Sequence, residues 1–169
     1  MKENWKQITP SDYAWEREAL EFLRAELPDH EPYRAWANFE FIAQDGSINE
    51  VDLLAVTAKG CFLVEIKSHP GVIRGDAGTW VWERPNGGSR AFDNPRLLAD
   101  RKAKKLASLL RGQPSARRSK EGIPFISAVV FLSAESVKNK LEGPARMGVY
   151  TRKNVLSHLT EIGPDWSHK

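Results

Sequence analysis

Residues 49–68 read NEVDLLAVTAKGCFLVEIKS, and the rest of the chain is organised around them. The stretch divides into two apolar runs, residues 50–57 and 61–67, around a short Ala58-Lys59-Gly60 turn. Continuous Leu, Val, Ile and Phe is what a strand covered on both faces requires. Both runs obey that rule except at Asp52, Glu65 and Lys67. An isolated ionised carboxylate loses several kcal/mol on burial unless a partner or a metal offsets the loss. Three charges inside such strands therefore need an explanation.

Side chains alternate along a strand, so Glu65 and Lys67 share a face. The tight turn makes the two strands antiparallel neighbours and brings Asp52 towards the same end of the pair. The expected product is a cluster of two acids and an amine at one rim of a sheet. Paired carboxylates with open positions are what hard divalent cations such as Mg²⁺ select. The adjacent ammonium can steady a scissile phosphate or tune an attacking water. A buried ion-pair network with no further role is the other reading of the same residues, although such networks stabilise weakly.

Asp52, twelve residues, then Glu65-Ile66-Lys67 resembles the signature of the PD-(D/E)XK nuclease superfamily, and the wider chain resembles its nuclease-related branch, the NERD domain. The likeness extends to Glu16 on a preceding helix with Leu23 seven residues on, to Gly71-Val72-Ile73-Arg74-Gly75 and Trp80, and to Asn94-Pro95 opening a basic helix. It covers most of residues 15–159. NERD domains commonly carry a Gln four residues after the Asn of that Asn-Pro pair; here the position is Leu98. In overall likeness the chain is similar to the N-terminal domain of phage-defence Ser/Thr kinases of the PglW kind, found in BREX systems.

The chain has 169 residues, 41% of them hydrophobic, enough for one domain with a substantial core. Residues 1–8 show no pattern and read as a lead-in, residues 9–162 as the single domain, and 163–169 as a tail leading to further domains of a longer protein. The lone cysteine, Cys61, sits inside a core strand, so no intramolecular disulfide forms and a cytoplasmic location is expected. No apolar run approaches the roughly 18–20 residues of a membrane span, so no membrane partner is expected. Residues 94–120 hold nine bases against the single acid Asp100, a local charge of +8 in a chain whose net charge is +3. Such asymmetry suits a polyanion partner; a solvated helix face followed by a charged loop is the plain alternative.

Thr9-Pro10-Ser11-Asp12 reads as a helix start, with Thr as N-cap and Pro at the first position, and the helix should run to about Leu27. Trp15, Ala19, Leu20, Leu23 and Leu27 form its inward stripe. Glu16 falls within that stripe as a third site carboxylate, or at its edge as a solvated one. Residues 36–43 read as a strand, with Asp45-Gly46 turning the chain into the Asp52 strand. Residues 72–74 and 79–83 read as two short strands, where Trp80 and Trp82 stack on bases or pack in the hairpin. Asn94 caps a helix running to about Leu110, with Ala99, Ala103, Leu106 and Leu110 inward and Arg101, Lys104, Lys105 and Arg111 outward. Residues 113–122 read as a mobile loop, 126–132 as a strand and 152–162 as a last helix.

The fold class expected is α/β, a nuclease-like mixed sheet of about four or five strands flanked by helices, with an added edge hairpin. The resemblance implies a metal-dependent endonuclease acting on DNA in bacterial phage defence. Asp52, Glu65, the Ile66 backbone carbonyl and Glu16 would hold Mg²⁺ or Mn²⁺, with Lys67 catalytic beside them. Arg101, Lys104, Lys105 and Arg111 would hold the phosphate backbone, sensitive to salt and indifferent to sequence. The alternative is a binding or regulatory module on the same frame that cleaves little or nothing. Further domains, a Ser/Thr kinase among them, and other defence-system proteins are the remaining expected partners.

Overall fold

The computed structural model describes residues 3–120 and 122–164. Its first strand, β1 (Trp5–Gln7), falls in the stretch read as a lead-in, and helix α1 (Ala14–Glu26) follows. A meander of β2 (Arg34–Ile42), β3 (Ile48–Thr57) and β4 (Gly60–Lys67) comes next. Three short strands, β5 (Val72–Gly75), β6 (Thr79–Glu83) and β7 (Ser89–Asp93), lead into α2 (Pro95–Arg111) and α3 (Pro114–Arg118). The chain then returns through β8 (Ile126–Leu132), β9 (Lys138–Asn139) and β10 (Val149–Thr151). It ends in α4 (Val155–Ser157), which widens into a π turn over His158–Ile162.

The central sheet has six strands in the order β1-β2-β3-β4-β8-β10. Its middle, β2-β3-β4, is antiparallel, whereas β4–β8, β8–β10 and β1–β2 are parallel. The sheet is mixed, as the sequence implies, but wider than four or five strands, because β1 and β10 add parallel edges too short to show a period-2 pattern. The expected edge hairpin is part of a separate four-stranded sheet, β7-β6-β5-β9.

Alternation along β8 assigns the layers. Val129 and Phe131 join Leu20 and Leu23 of α1, together with Phe62, Val64, Ile66 and Leu159, in one cluster. On the opposite face Ile126 and Ala128 pack with Ala99, Ala103 and Leu106 of α2. Further along that face, Val130 and Leu132 pack with Ile73 and Trp80 of the small sheet. One face is thus closed by α1 and the C-terminal turns, and the other by α2 and the small sheet side by side. Trp80 is fully buried and Trp82 donates its indole N–H to the Pro70 carbonyl at 2.8 Å, so both serve packing. Cys61 is buried, with its thiol pushed up to about 11 by that burial.

The sequence places the start of α1 too early. Ile8 and Thr9 donate their N–H groups to the Ala37 and Asn38 carbonyls, extending the β1 pairing along β2. The Asn38 amide donates to the Thr9 and Pro10 carbonyls. Backbone committed to a neighbouring strand cannot open a helix, and α1 begins only at Ala14. Residues 113–122, read as a loop, include the short helix α3, with Pro114 at its first turn; Glu121 of that stretch lies outside the described residues, as do residues 165–169 of the expected tail.

Candidate functional site

The β3–β4 ladder runs from Thr57–Gly60 to Leu53–Val64 and stops. Continued by one step, the same register would set Asp52 against Glu65. Instead the Asp52 carboxylate accepts the Ile66 N–H at 2.7 Å, taking a place that a backbone carbonyl would otherwise hold. The ladder on the other side of Asp52 is interrupted too. Ala37 pairs with Leu53 and Phe39 with Val51, but Asn38, opposite Asp52, is unpaired and sits at φ 55°. Asn tolerates this left-handed conformation better than most residues. Val51 packs with the α2 cluster and Leu53 with the α1 cluster, so the strand changes face at this point. Asp52 therefore stands at a break in the sheet, with carboxyl groups approaching from three elements.

Glu65 and Lys67 share the α2 face with Leu63, as alternation requires. Glu65 is buried, with Lys67 Nζ 3.8 Å from its Oε1 and Lys102 Nζ 3.4 Å from its Oε2. Lys67 is the more open of the two amines, about a third exposed. The Ile66 N–H points towards β3, and in a strand the carbonyl of the same residue points the same way. The Ile66 carbonyl thus faces the Asp52 side of the break, whereas the Lys67 carbonyl is taken by the Ser133 N–H at 2.9 Å.

Glu16 arrives from α1, on the opposite face, and is buried. Its Oε1 and the nearby Ser11 Oγ are both buried without a hydrogen-bond partner of good geometry among the described residues. Burial raises its carboxyl pKa; the Ser11 hydroxyl offsets part of the rise, and Asp12, Glu50 and Glu65 add to it. The Asp52 carboxyl is pushed up to about 7, by burial first and by Glu65 next, against the Ile66 N–H and Lys102. Glu16 also contributes to that rise. Glu65 is thus close enough to raise both Asp52 and Glu16, and Glu16 adds to the rise at Asp52.

Oxygen donors of this kind suit a hard divalent cation. The orphaned Glu16 oxygen and the raised Asp52 carboxyl both belong to a site short of positive charge. Among the described residues, however, no three His, Cys, Asp or Glu side chains stand at spacing that would hold a metal. The oxygen donors present are the Asp52 and Glu65 carboxylates and the Ile66 carbonyl at the break, and the Glu16 carboxylate from α1.

Between α2 and the small sheet lies a cleft of about 440 Å³ that opens onto Glu65 and Lys67. Arg90, Phe92 and His69 line one wall, and Leu97, Leu98 and Arg101 the other. His69 stacks on Phe92 (5.1 Å between centroids, 17° between planes) and meets Trp82 edge-on. Its pKa is lowered to about 4 by burial and by Lys67 and Arg90, so the ring is neutral at neutral pH.

The expected phosphate-binding residues do not converge. Arg101 reaches the cleft, whereas Lys104 and Lys105 line a separate groove beside Ala43 and Asp45. Lys105 is held by Asp45 at 3.2 Å and by Ser47 Oγ at 3.1 Å, and Arg111 donates to Ser108 Oγ at 3.3 Å.

Sequence reading missed Lys102, Asn38 and Arg90. Lys102 had a signal: it lies three residues past Ala99, within the apolar stripe of α2, where a lysine needs an anionic partner. It also sits one turn after Leu98, so α2 supplies its polar group to the site from the next turn along. Asn38 had none, since a left-handed residue inside a strand leaves no period to read.

Three comparisons bear on this arrangement. The family model described as nuclease-related domain (NERD) matches residues 11–132. A curated protein named probable kinase PglW, from Streptomyces coelicolor, is 38% identical over 161 residues, which is 95% of this chain and 10% of that protein. The chain thus spans about a tenth of its relative's length. No solved structure gives a significant match. With most of its length matched, the chain belongs to the nuclease-related (NERD) domain family.

Proposed function

We propose that this domain is a metal-dependent endonuclease-like domain that hydrolyses DNA phosphodiester bonds within a longer cytoplasmic protein of bacterial phage defence. The observation that supports the reading is the break in the sheet at Asp52, whose carboxylate accepts the Ile66 N–H next to Glu65, a residue that itself lines the cleft. Asp52, Glu65 and the Ile66 carbonyl would hold Mg²⁺ or Mn²⁺, with Glu16 closing the far side. Bound there, the cation supplies Lewis acidity at the scissile phosphate and a lower pKa for the attacking water. Lys67, held beside Glu65 and about a third exposed, would position that water or help to take its proton. Arg90 and Arg101 place the phosphodiester along the cleft by charge, without reading sequence. The likeness to PglW supports fusion to other domains, a kinase among them.

A second reading is favoured by one contact. Lys102 Nζ already stands 3.4 Å from Glu65 Oε2, where an internal ammonium neutralises the carboxylate that a metal would need. On that reading the frame binds nucleic acid or regulates a fused domain and does not cleave. Plasmid nicking with Mg²⁺ or Mn²⁺ decides between them. Wild-type protein should nick, and Glu65→Ala and Lys67→Ala should both abolish nicking. No nicking by the wild type, together with salt-sensitive DNA binding that survives both changes, would establish the binding module instead.

A further inference from the structure

The cleft between α2 and β7 is built differently from a track for duplex DNA. Its lining sets three cations, Lys67, Arg90 and Arg101, against two acids, Glu65 and Asp93, an excess suited to one phosphodiester. Its walls also carry apolar surface that a backbone track has no use for. Leu97 and Leu98 are 40% and 48% exposed there, and Phe92 is half-buried with its ring stacked on His69. Exposed leucines beside an aromatic pair offer a flat apolar partner a surface to cover. In a duplex the base faces are covered by their neighbours, and a groove presents only base edges and phosphates. An unpaired nucleotide offers an uncovered π face together with its phosphate. The volume, about 440 Å³, lies within the range of roughly 300–1,000 Å³ typical of single-ligand pockets. The neutral His69 ring extends the platform behind Phe92 and adds no charge to repel a base edge.

We infer that this cleft receives one unpaired DNA nucleotide, its base against Phe92, Leu97 and Leu98 and its phosphate between Arg90 and Arg101, so that the site acts on single-stranded or frayed DNA rather than on continuous duplex. This deepens the nuclease reading and rests on it for the chemistry, though not for the binding. Leu98, about half exposed on the cleft wall, is then a specificity residue of this chain.

The test is fluorescence anisotropy in EDTA, so that nothing is cut, with a labelled single-stranded 12-mer, the matched blunt duplex, and the same single strand carrying abasic sites. The wild type should hold the intact single strand about tenfold tighter than either the duplex or the abasic strand, the worth of one stacked base. Leu98→Gln and Phe92→Leu should each remove that preference and leave duplex binding unchanged, and Leu98→Gln should leave the thermal midpoint unchanged as well. Equal binding of the intact and abasic strands, or a preference that survives Leu98→Gln, overturns the inference. A preference that stands in a protein that never nicks plasmid or single-stranded circles keeps the cleft and removes the nuclease, so the two failures are distinguishable.

Discussion

The two faces of the central sheet are covered in different ways. On one, α1 and the C-terminal turns close a single cluster around Phe62, Leu23 and Phe131, all fully buried. On the other, α2 and the small sheet cover the strands in two separate pieces, with the cleft at their seam. The closed face admits one charged side chain of the site, Glu16, at the first turn of its helix. The divided face admits Glu65, Lys67 and Lys102. Two separate covering units, joined where Asn94 bonds to the Ala77 and Gly78 carbonyls, leave room along their seam for charges that a continuous layer would exclude. The stability of the domain should therefore reside mainly on the α1 face, and its chemistry at the seam.

Phe62→Ala challenges this division most severely. A large apolar side chain removed from a fully buried position costs about 3–5 kcal/mol, and the whole domain should lose that much in denaturant titration. Leu98→Ala, on the cleft wall, should stay within about 0.5 kcal/mol of wild type. Comparable losses from the two substitutions would mean that the seam is as much a part of the core as the closed face.

Next comes the pH dependence that Asp52 imposes. Its carboxyl titrates near 7 in the folded chain, chiefly because it is buried and faces Glu65, and near 4 when unfolded. Between those values the folded protein binds the extra proton, so stability is greatest below about pH 4 as far as this group is concerned and falls as the pH rises towards 7. Glu16, raised in the same direction, adds to the slope. Asp52→Asn should flatten the dependence of the denaturation midpoint on pH over that window. A divalent cation held by Asp52 and Glu65 competes with the proton, so added Mg²⁺ should stabilise the wild type more at pH 8 than at pH 5. Wild-type and Asp52→Asn curves that run parallel would place Asp52 in a wetter site than the structure shows.

Lys102 gives a smaller and more pointed test. Lys102→Met leaves Glu65 buried with only Lys67, at 3.8 Å, as a counter-charge, and should cost about 2 kcal/mol. Adding Glu65→Gln to Lys102→Met should recover most of the loss, because the uncompensated carboxylate goes with it. A double variant no better than the single would mean that Lys102 acts by packing its aliphatic stem and not by neutralising Glu65.

The meander, the capped start of α2 and the approach of Asp52 and of Lys67 to Glu65 were legible because each rests on a local pattern. Alternation and the Ala58-Lys59-Gly60 turn are enough to fix the strand pair. Asn94 with Pro95 fixes the start of α2, and the Asn94 side chain does accept the Arg96 N–H at 2.9 Å. What was not legible depends on elements distant in sequence. β1 is three residues long and exists because β2 offers it an edge. The cleft exists because two separate units share one face and leave a seam between them. Arg101 and Lys105 both read as outward-facing bases of α2, and only the position of Asp45 decides that one is committed to an ion pair while the other faces the cleft.

Asn38 links the two faces, and its glycine variant should cost less than the loss of Lys102. Its left-handed backbone interrupts the β2–β3 ladder opposite Asp52, and its amide secures Thr9 and Pro10 just before Ser11 and Glu16. Asn38→Gly keeps the backbone without strain and loses the two amide bonds, while Asn38→Ala loses both bonds and adds a cost of about 1–2 kcal/mol for the conformation. Glycine should therefore cost about 1 kcal/mol and alanine about 2–3. Both should loosen the approach of Glu16, lowering its raised pKa and, where metal is bound, weakening that binding. Amide exchange at residues 8–16 separates the two roles. Faster exchange in both variants would show that the Asn38 amide holds α1 over the site. Faster exchange in alanine alone would leave Asn38 as a backbone device, with Glu16 positioned by the packing of α1 on the closed face.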